Sequence, residues 1–288
     1  DFISGSNNGV ASTTLSDFTD MAYDNVSNLL YISDGEDIRR ILVFDVATIT
    51  NGEGAIAVLG QVNFTSSTAN QGGSVASTTL SGPIGLEYDS SNSNLYAVDS
   101  SNNRILVYNV ASITNGEAAV AVLGQADFIS GANGLSASGL NSPNYVAYNG
   151  NNNSLYIVDQ TNNRVLVYNV ASITNGEAAA AVLGQSNFVS GSVNGGGSVS
   201  ASVLSSPYGI EVNPTNNNLY VADYNNNRAL IYSLVNLSAT TLADITAGAN
   251  YNQSITAAVN TQGTVSYSVS GGALPNGLSL NSATGAIT

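Results

Sequence analysis

The chain repeats itself, and the repeat limits the fold more than any other feature. Tyr96 to Phe128 reads YAVDSSNNRILVYNVASITNGEAAVAVLGQADF, and Tyr156 to Phe188 reads YIVDQTNNRVLVYNVASITNGEAAAAVLGQSNF. Tyr31 to Phe64 is a third copy with one added residue, and Tyr220 to Tyr232, YVADYNNNRALIY, is a shorter fourth. The aligned arginines Arg40, Arg104, Arg164 and Arg228 stand 64, 60 and 64 residues apart. A period of this length marks stacked supersecondary units, none of which buries its apolar faces alone.

Each unit divides into short apolar runs separated by Asn, Ser and Gly clusters. In the second unit the runs are Gly85–Tyr88, Leu95–Val98, Arg104–Val110 and Ala119–Leu123. They are rich in Val, Ile, Leu and Tyr, which suit strands. Asn115-Gly116, repeated as Asn51-Gly52 and Asn175-Gly176, supplies the positive φ of a tight turn. A helical period is absent apart from one candidate turn near Ala111–Thr114. Long polar linkers such as Ser130–Ser142 would carry the chain from the last strand of one unit to the first of the next. The expected fold is all-β: a β-propeller of four-stranded antiparallel blades, four of them recognisable, followed by an Ig-like β segment. Blade four lacks the Asn-Gly turn and the Ala-Val-Leu-Gly-Gln strand after Tyr232. An unpaired outer edge is therefore expected there, open to strand addition by a neighbouring chain or domain.

The run of Pro-x-Gly, then LYVAD, then NNRVLVY resembles NHL-repeat propellers at Pro83–Tyr108, Pro143–Tyr168 and Pro207–Tyr232. The resemblance covers about Asp17 to Tyr232. Blade one departs from it, with Asp17-Phe18-Thr19 where later units carry Pro. It implies the propeller fold; for function it implies only a range, from binding scaffolds to a few hydrolases and lyases. From about Ala239 the signature stops. Tyr267-Ser268-Val269, then Ala273-Leu274-Pro275-Asn276-Gly277-Leu278-Ser279-Leu280 and Thr284-Gly285-Ala286-Ile287, is similar to the Ig- or cadherin-like modules of bacterial surface proteins. The expected domains are 1–238 for the propeller and 239–288 for a partial Ig-like module, about half of a full sandwich. Asp1-Phe2-Ile3-Ser4 matches Asp127-Phe128-Ile129-Ser130, the tail of a unit, so the chain reads as a segment of a longer polypeptide or one completed by a partner.

Composition narrows the chemistry. The chain has no Cys and no His, and so neither a thiolate site nor the commonest general base. Its net charge of −14 comes from missing base, since there is no Lys and only five Arg. Nucleic acid finds no basic patch on such a chain. A Ser nucleophile without His has no ordinary activator. No apolar run of membrane-spanning length occurs, and the neutral Asn, Ser and Thr surface suits an extracellular or cell-surface setting.

Four pairs, Asp34 with Arg40, Asp99 with Arg104, Asp159 with Arg164 and Asp223 with Arg228, recur at one slot. Recurrence in every blade favours a structural role, with Asp accepting turn amides and the planar guanidinium tying loops together. Glu53, Glu117 and Glu177 each follow an Asn-Gly, which points to a local amide contact. Glu87 and Glu211 lie in first strands, and the matching slots Ala22 and Ala147 leave no full ring of ligands. Asp34, Glu36 and Asp37 form the richest oxygen cluster, a weak candidate for calcium; no other cofactor is expected. Tyr145, Tyr208 and Tyr224 are candidate stacking residues for a glycan or a surface protein. Together these observations lead us to expect a non-enzymatic extracellular structural protein, assembled as a homo-oligomer or filament. A carbohydrate- or protein-binding adhesion module is the first alternative, and a metal-dependent lactonase-like hydrolase the second.

Overall fold

A computed structural model describes residues 10–35 and 37–233, together with 253–254, 274, 278–281 and 286–287. Three four-stranded antiparallel sheets follow one another in the order of the chain. The first holds β1 (Phe18–Asp24), β2 (Leu29–Asp34), β3 (Arg40–Asp45) and β4 (Ala57–Leu59). The second holds β5 (Pro83–Asp89), β6 (Asn94–Asp99), β7 (Arg104–Asn109) and β8 (Ala121–Leu123). The third holds β9 (Pro143–Asn149), β10 (Ser154–Asp159), β11 (Arg164–Asn169) and β12 (Ala181–Leu183). Among the described residues blade four has three strands, β13 (Pro207–Asn213), β14 (Asn218–Asp223) and β15 (Arg228–Ser233). This is the all-β blade architecture of a β-propeller, with a short outer strand where the sequence suggested a longer one. Contacts divide the chain into two units, 1–212 with 220–230, and 213–219 with 231–288. In the second unit β16 (Gln253–Ser254) pairs antiparallel with β17 (Ala286–Ile287).

The continuous apolar strands follow from burial on both faces. Side chains alternate across a strand. Leu106 and Tyr108 of β7 join one core cluster with Ile41, Val43 and Leu59 of blade one. Ile105 and Val107, pointing the other way, join a second with Val146, Leu155 and Leu166 of blade three. Each strand thus glues two interfaces, and its neighbours keep the register Leu95↔Tyr108 and Leu106↔Val122. The first strands pack in sequence, β1 against β5 and β5 against β9. At Gly85 a side chain would stand 2.6 Å from the Asn144 carbonyl oxygen, so that approach requires glycine. On β15 the pattern changes to alternate half-buried and exposed residues, and Ile231 is 61% exposed.

The turn before β7 is a one-turn 3-10 helix, Ser100–Asn102, closed by Asn103 in the left-handed region at φ 53°. Asn163 and Asn227 take the same conformation, φ 53° and 51°. Asn tolerates it better than most residues. In blade one Arg39 occupies the slot at φ 59°. The helical turn anticipated at Ala111–Thr114 does not form. Asn109 Oδ1 accepts the Ala111 N–H at 3.2 Å, an Asx turn that competes with helix initiation.

Candidate functional site

The recurrent acid and guanidinium sit at the junction where each blade is entered and left. Asp99 ends β6 and Arg104 begins β7, so the two face each other across a pair at the end of the ladder. Asp99 Oδ1 accepts the N–H groups of Ser81 and Gly82 at 2.8 and 3.3 Å, just before β5. Its Oδ2 accepts Asn102 Nδ2 at 2.7 Å and Arg104 Nε at 2.8 Å. The guanidinium then donates outward, to the Phe128 carbonyl at 2.7 Å and to those of Ala76 and Thr79 at 3.0 and 2.8 Å. One pair therefore holds the incoming linker, the hairpin and the outgoing linker at once.

The arrangement repeats almost atom for atom. Arg164 bonds Asp159 and the carbonyls of Phe188, Ser136 and Gly139. Arg40 bonds Asp34, Phe64 and Thr14. Arg228 bonds Asp223, Ser200 and Val203. Side-chain exposure is 1% at Arg40 and 0% at Arg104 and Arg164, against 25% at Arg228. Burial pushes the Asp159 carboxyl up, and Arg164 beside it opposes the shift. The Asn before Arg104 and before Arg164 adds a link to the following blade: Asn103 Oδ1 accepts Ser142 N–H at 2.9 Å, and Asn163 Oδ1 accepts Ser206 N–H at 2.8 Å.

Of the calcium candidate, two of the three carboxylates fall among the described residues. Asp34 accepts Ser16 and Asp17 amides and Arg40, Asp37 is exposed, and Glu36 lies outside the described residues. Among the described residues no three His, Cys, Asp or Glu side chains come together as a metal-holding group. Glu53, Glu117 and Glu177 each accept the N–H of the Thr three residues earlier, at 3.0, 2.8 and 3.1 Å.

The three tyrosines do come together. Tyr145 on β9 lies 5.4 Å from Tyr208 on β13, and Tyr208 lies 6.1 Å from Tyr224, which follows β14. These are tilted aromatic contacts. Tyr208 is 43% and Tyr224 66% exposed, so the rings form an open shelf. The Tyr145 hydroxyl donates to the Thr19 carbonyl at 3.4 Å, which carries the shelf to β1. Beside it stands Asp20 of β1, which acts on Tyr145 and is linked electrostatically to two further first-strand carboxyls, Glu87 and Glu211. Burial pushes Glu87 up to about 8, with the charges of Glu211 and Asp20 adding to the effect. Burial also raises Glu211 and Asp20, and Asp20 adds to the rise at Glu211. Burial raises Tyr145, helped by Tyr208 and Asp20. The shelf thus offers aromatic faces with the Asp20 carboxyl near Tyr145.

Asp20 was missed by reasoning on sequence alone. Its slot is Gly85 in blade two and Gly209 in blade four, so an acid there is the signal that could have found it. The Asp20 carboxylate reaches across to accept the Leu86 N–H of the neighbouring blade at 2.9 Å.

A family model described as Putative Ig domain matches residues 233–288 and gives the C-terminal segment its Ig-like assignment. No curated protein matches the chain. A structural genomics protein of unknown function from Bacteroides thetaiotaomicron VPI-5482 aligns with TM-score 0.47 and 15% identity over 75% of this chain. The alignment covers 47% of that protein, so the chain spans about half its length.

Two outcomes follow from the geometry. Arg164→Met strands a buried carboxylate and three carbonyls, and urea denaturation should show a loss of about 3–5 kcal/mol; Arg228→Met, where water replaces the lost donor, should cost distinctly less. Glu87 binds its proton more tightly folded than unfolded, so it lowers stability as pH rises from its ordinary value of 4.5 toward about 8. Glu87→Gln should therefore raise the Tm at pH 8 and leave it nearly unchanged at pH 4, read by calorimetry.

Proposed function

We propose that the protein is a non-enzymatic, extracellular structural module, an NHL-type blade array that builds a cell-surface or filamentous assembly through edge contacts made head to tail. The observation that carries this reading is where the polar chemistry points. All four Asp–Arg pairs and the three turn glutamates bond within the chain, leaving none of them aimed at a substrate. Meanwhile, among the described residues, β15 is the last strand of its three-stranded sheet and exposes alternate side chains. Open strand edges are templates for a neighbouring chain. The Ig-like match at residues 233–288 is in keeping with a modular surface protein.

A second reading rests on the tyrosine shelf. Rings spaced 5.4 and 6.1 Å apart, two of them well exposed, present apolar faces to a sugar ring, with the Asp20 carboxyl near Tyr145 to meet a hydroxyl. On this reading the module binds a glycan or a surface protein, and structure and adhesion coexist in one assembly.

Electron micrographs of the 288-residue chain over rising concentration test the first reading. End-to-end strings are expected; isolated particles throughout would overturn it. For the second, a glycan array should show binding by the wild type that falls at least about tenfold in Tyr224→Ala, the scale of one lost stacking contact. Absence of any bound glycan or an unaffected variant would reject it.

A further inference from the structure

The outer strands carry a second link between blades, apart from the Asp–Arg pairs. In blade one, Val58 of β4 donates its N–H to Asn115 Oδ1 at 3.1 Å, while Gly116 N–H donates to the Val58 carbonyl at 2.8 Å. The Asn-Gly turn of blade two thus caps the free edge of the blade before it. Blade three repeats the contact on blade two, where Val122 N–H meets Asn175 Oδ1 at 3.0 Å. The turns are shaped in advance. Gly116 and Gly176 take φ 69° and 74°, and the Thr–Glu bonds described above close each loop.

Among the described residues, one such turn caps nothing and one such edge is uncapped. Asn51-Gly52 has the same closing bond, Thr50 N–H to Glu53, and Gly52 takes φ 75°. A side chain at Gly52 would meet nothing within 4 Å, whereas at Gly116 it would meet Gln61 O at 3.4 Å and at Gly176 Ala126 Cα at 3.2 Å. The uncapped edge is β12. Leu166↔Val182 matches Leu42↔Val58 and Leu106↔Val122 in register, so the N–H and C=O of Val182 point away from the sheet. Nothing among the described residues meets them. Val58 and Val122 are 0% exposed, but Val182 is half-buried, and Ala181 is exposed where Ala57 and Ala121 are buried. The fourth repeat supplies no cap by sequence: Ala239-Thr240 stands at the Asn-Gly position, counted from Arg228 as Asn175 is from Arg164.

We propose that the edge of β12 in one copy receives the Asn51-Gly52 turn of a second copy, with Val182 N–H donating to Asn51 Oδ1 and Gly52 N–H donating to the Val182 carbonyl. The occupant is a second copy because turn and seat, each already matched twice inside the chain, are both open on the same molecule. The groups that would meet are a side-chain amide and backbone N–H and C=O, so the joint itself pairs no like charges on a chain of net charge −14. β12 is the outermost strand of its sheet, which leaves its free edge open to approach from outside. The two patches differ, so the contact is heterologous and each copy keeps one half free for the next. This inference rests on the assembly reading above and names its joint.

Sedimentation velocity on three proteins tests it. The wild type should grow in mean mass beyond the dimer as concentration rises. Asn51→Ala removes the acceptor, and Val182→Pro removes the outward N–H while leaving the ladder to β11 intact; each alone should associate at least about tenfold more weakly. Their equimolar mixture should stop at a dimer, since one variant keeps the seat and the other the turn. Should Val182→Pro fail to fold by circular dichroism, Asn51→Ala decides alone, because its turn is exposed. Wild-type growth with both variants assembling equally well would overturn this joint and spare the assembly reading. A wild type that stays monomeric would overturn both, and a mixture without dimers would overturn the joint.

Discussion

The buried pairing of aspartate with arginine is the constraint on which the rest depends. A blade of short strands has little to fix where its linkers enter and leave, because linkers of Ser, Gly and Asn bury few apolar groups. One guanidinium solves this by donating in several directions from a single plane. At Arg104 those directions are the Asp99 carboxylate, the Phe128 carbonyl behind it and the Ala76 and Thr79 carbonyls ahead. Desolvating such a pair is costly, and the cost is offset only when every donor and acceptor finds a partner. Full satisfaction at Arg104 and Arg164 and partial exposure at Arg228 show the same motif in a closed and a looser setting.

Around these pairs the core takes a layered form. Strands such as β7 send alternate side chains into two clusters, so blade two has no solvent face of its own. Stability is shared between neighbours, as in other repeat proteins. On β15, the last described strand of blade four, alternate exposure replaces continuous burial.

Much of this was legible in the sequence, for reasons that differ by feature. The four-strand units could be read because Asn, Gly and Ser clusters interrupt apolar runs at fixed places. The Asp–Arg contacts could be read because the same two residues recur at the same spacing in each copy. The anticipated length of the fourth strand was wrong, since Ala119 looks strand-like but its N–H goes to the Ser77 carbonyl of a linker. Asp20 was invisible for another reason. It occurs in one blade only, so comparison between copies gives it no weight, and its importance arises from the convergence of first strands from different blades. The tyrosine shelf was guessed residue by residue, but its assembly from β9, β13 and the turn after β14 is a property of packing between blades.

The four internal pairs also settle what is left for the outside. Of 19 acids and five arginines, removing four of each leaves 15 acids and a single arginine, Arg39, for the rest of the chain. Such a molecule repels its own kind at distances beyond contact. Added electrolyte shortens the reach of that repulsion, to about 8 Å at physiological ionic strength. The association between copies that we propose, through neutral amide and backbone groups, should then tighten with salt, the reverse of what ion-paired interfaces do.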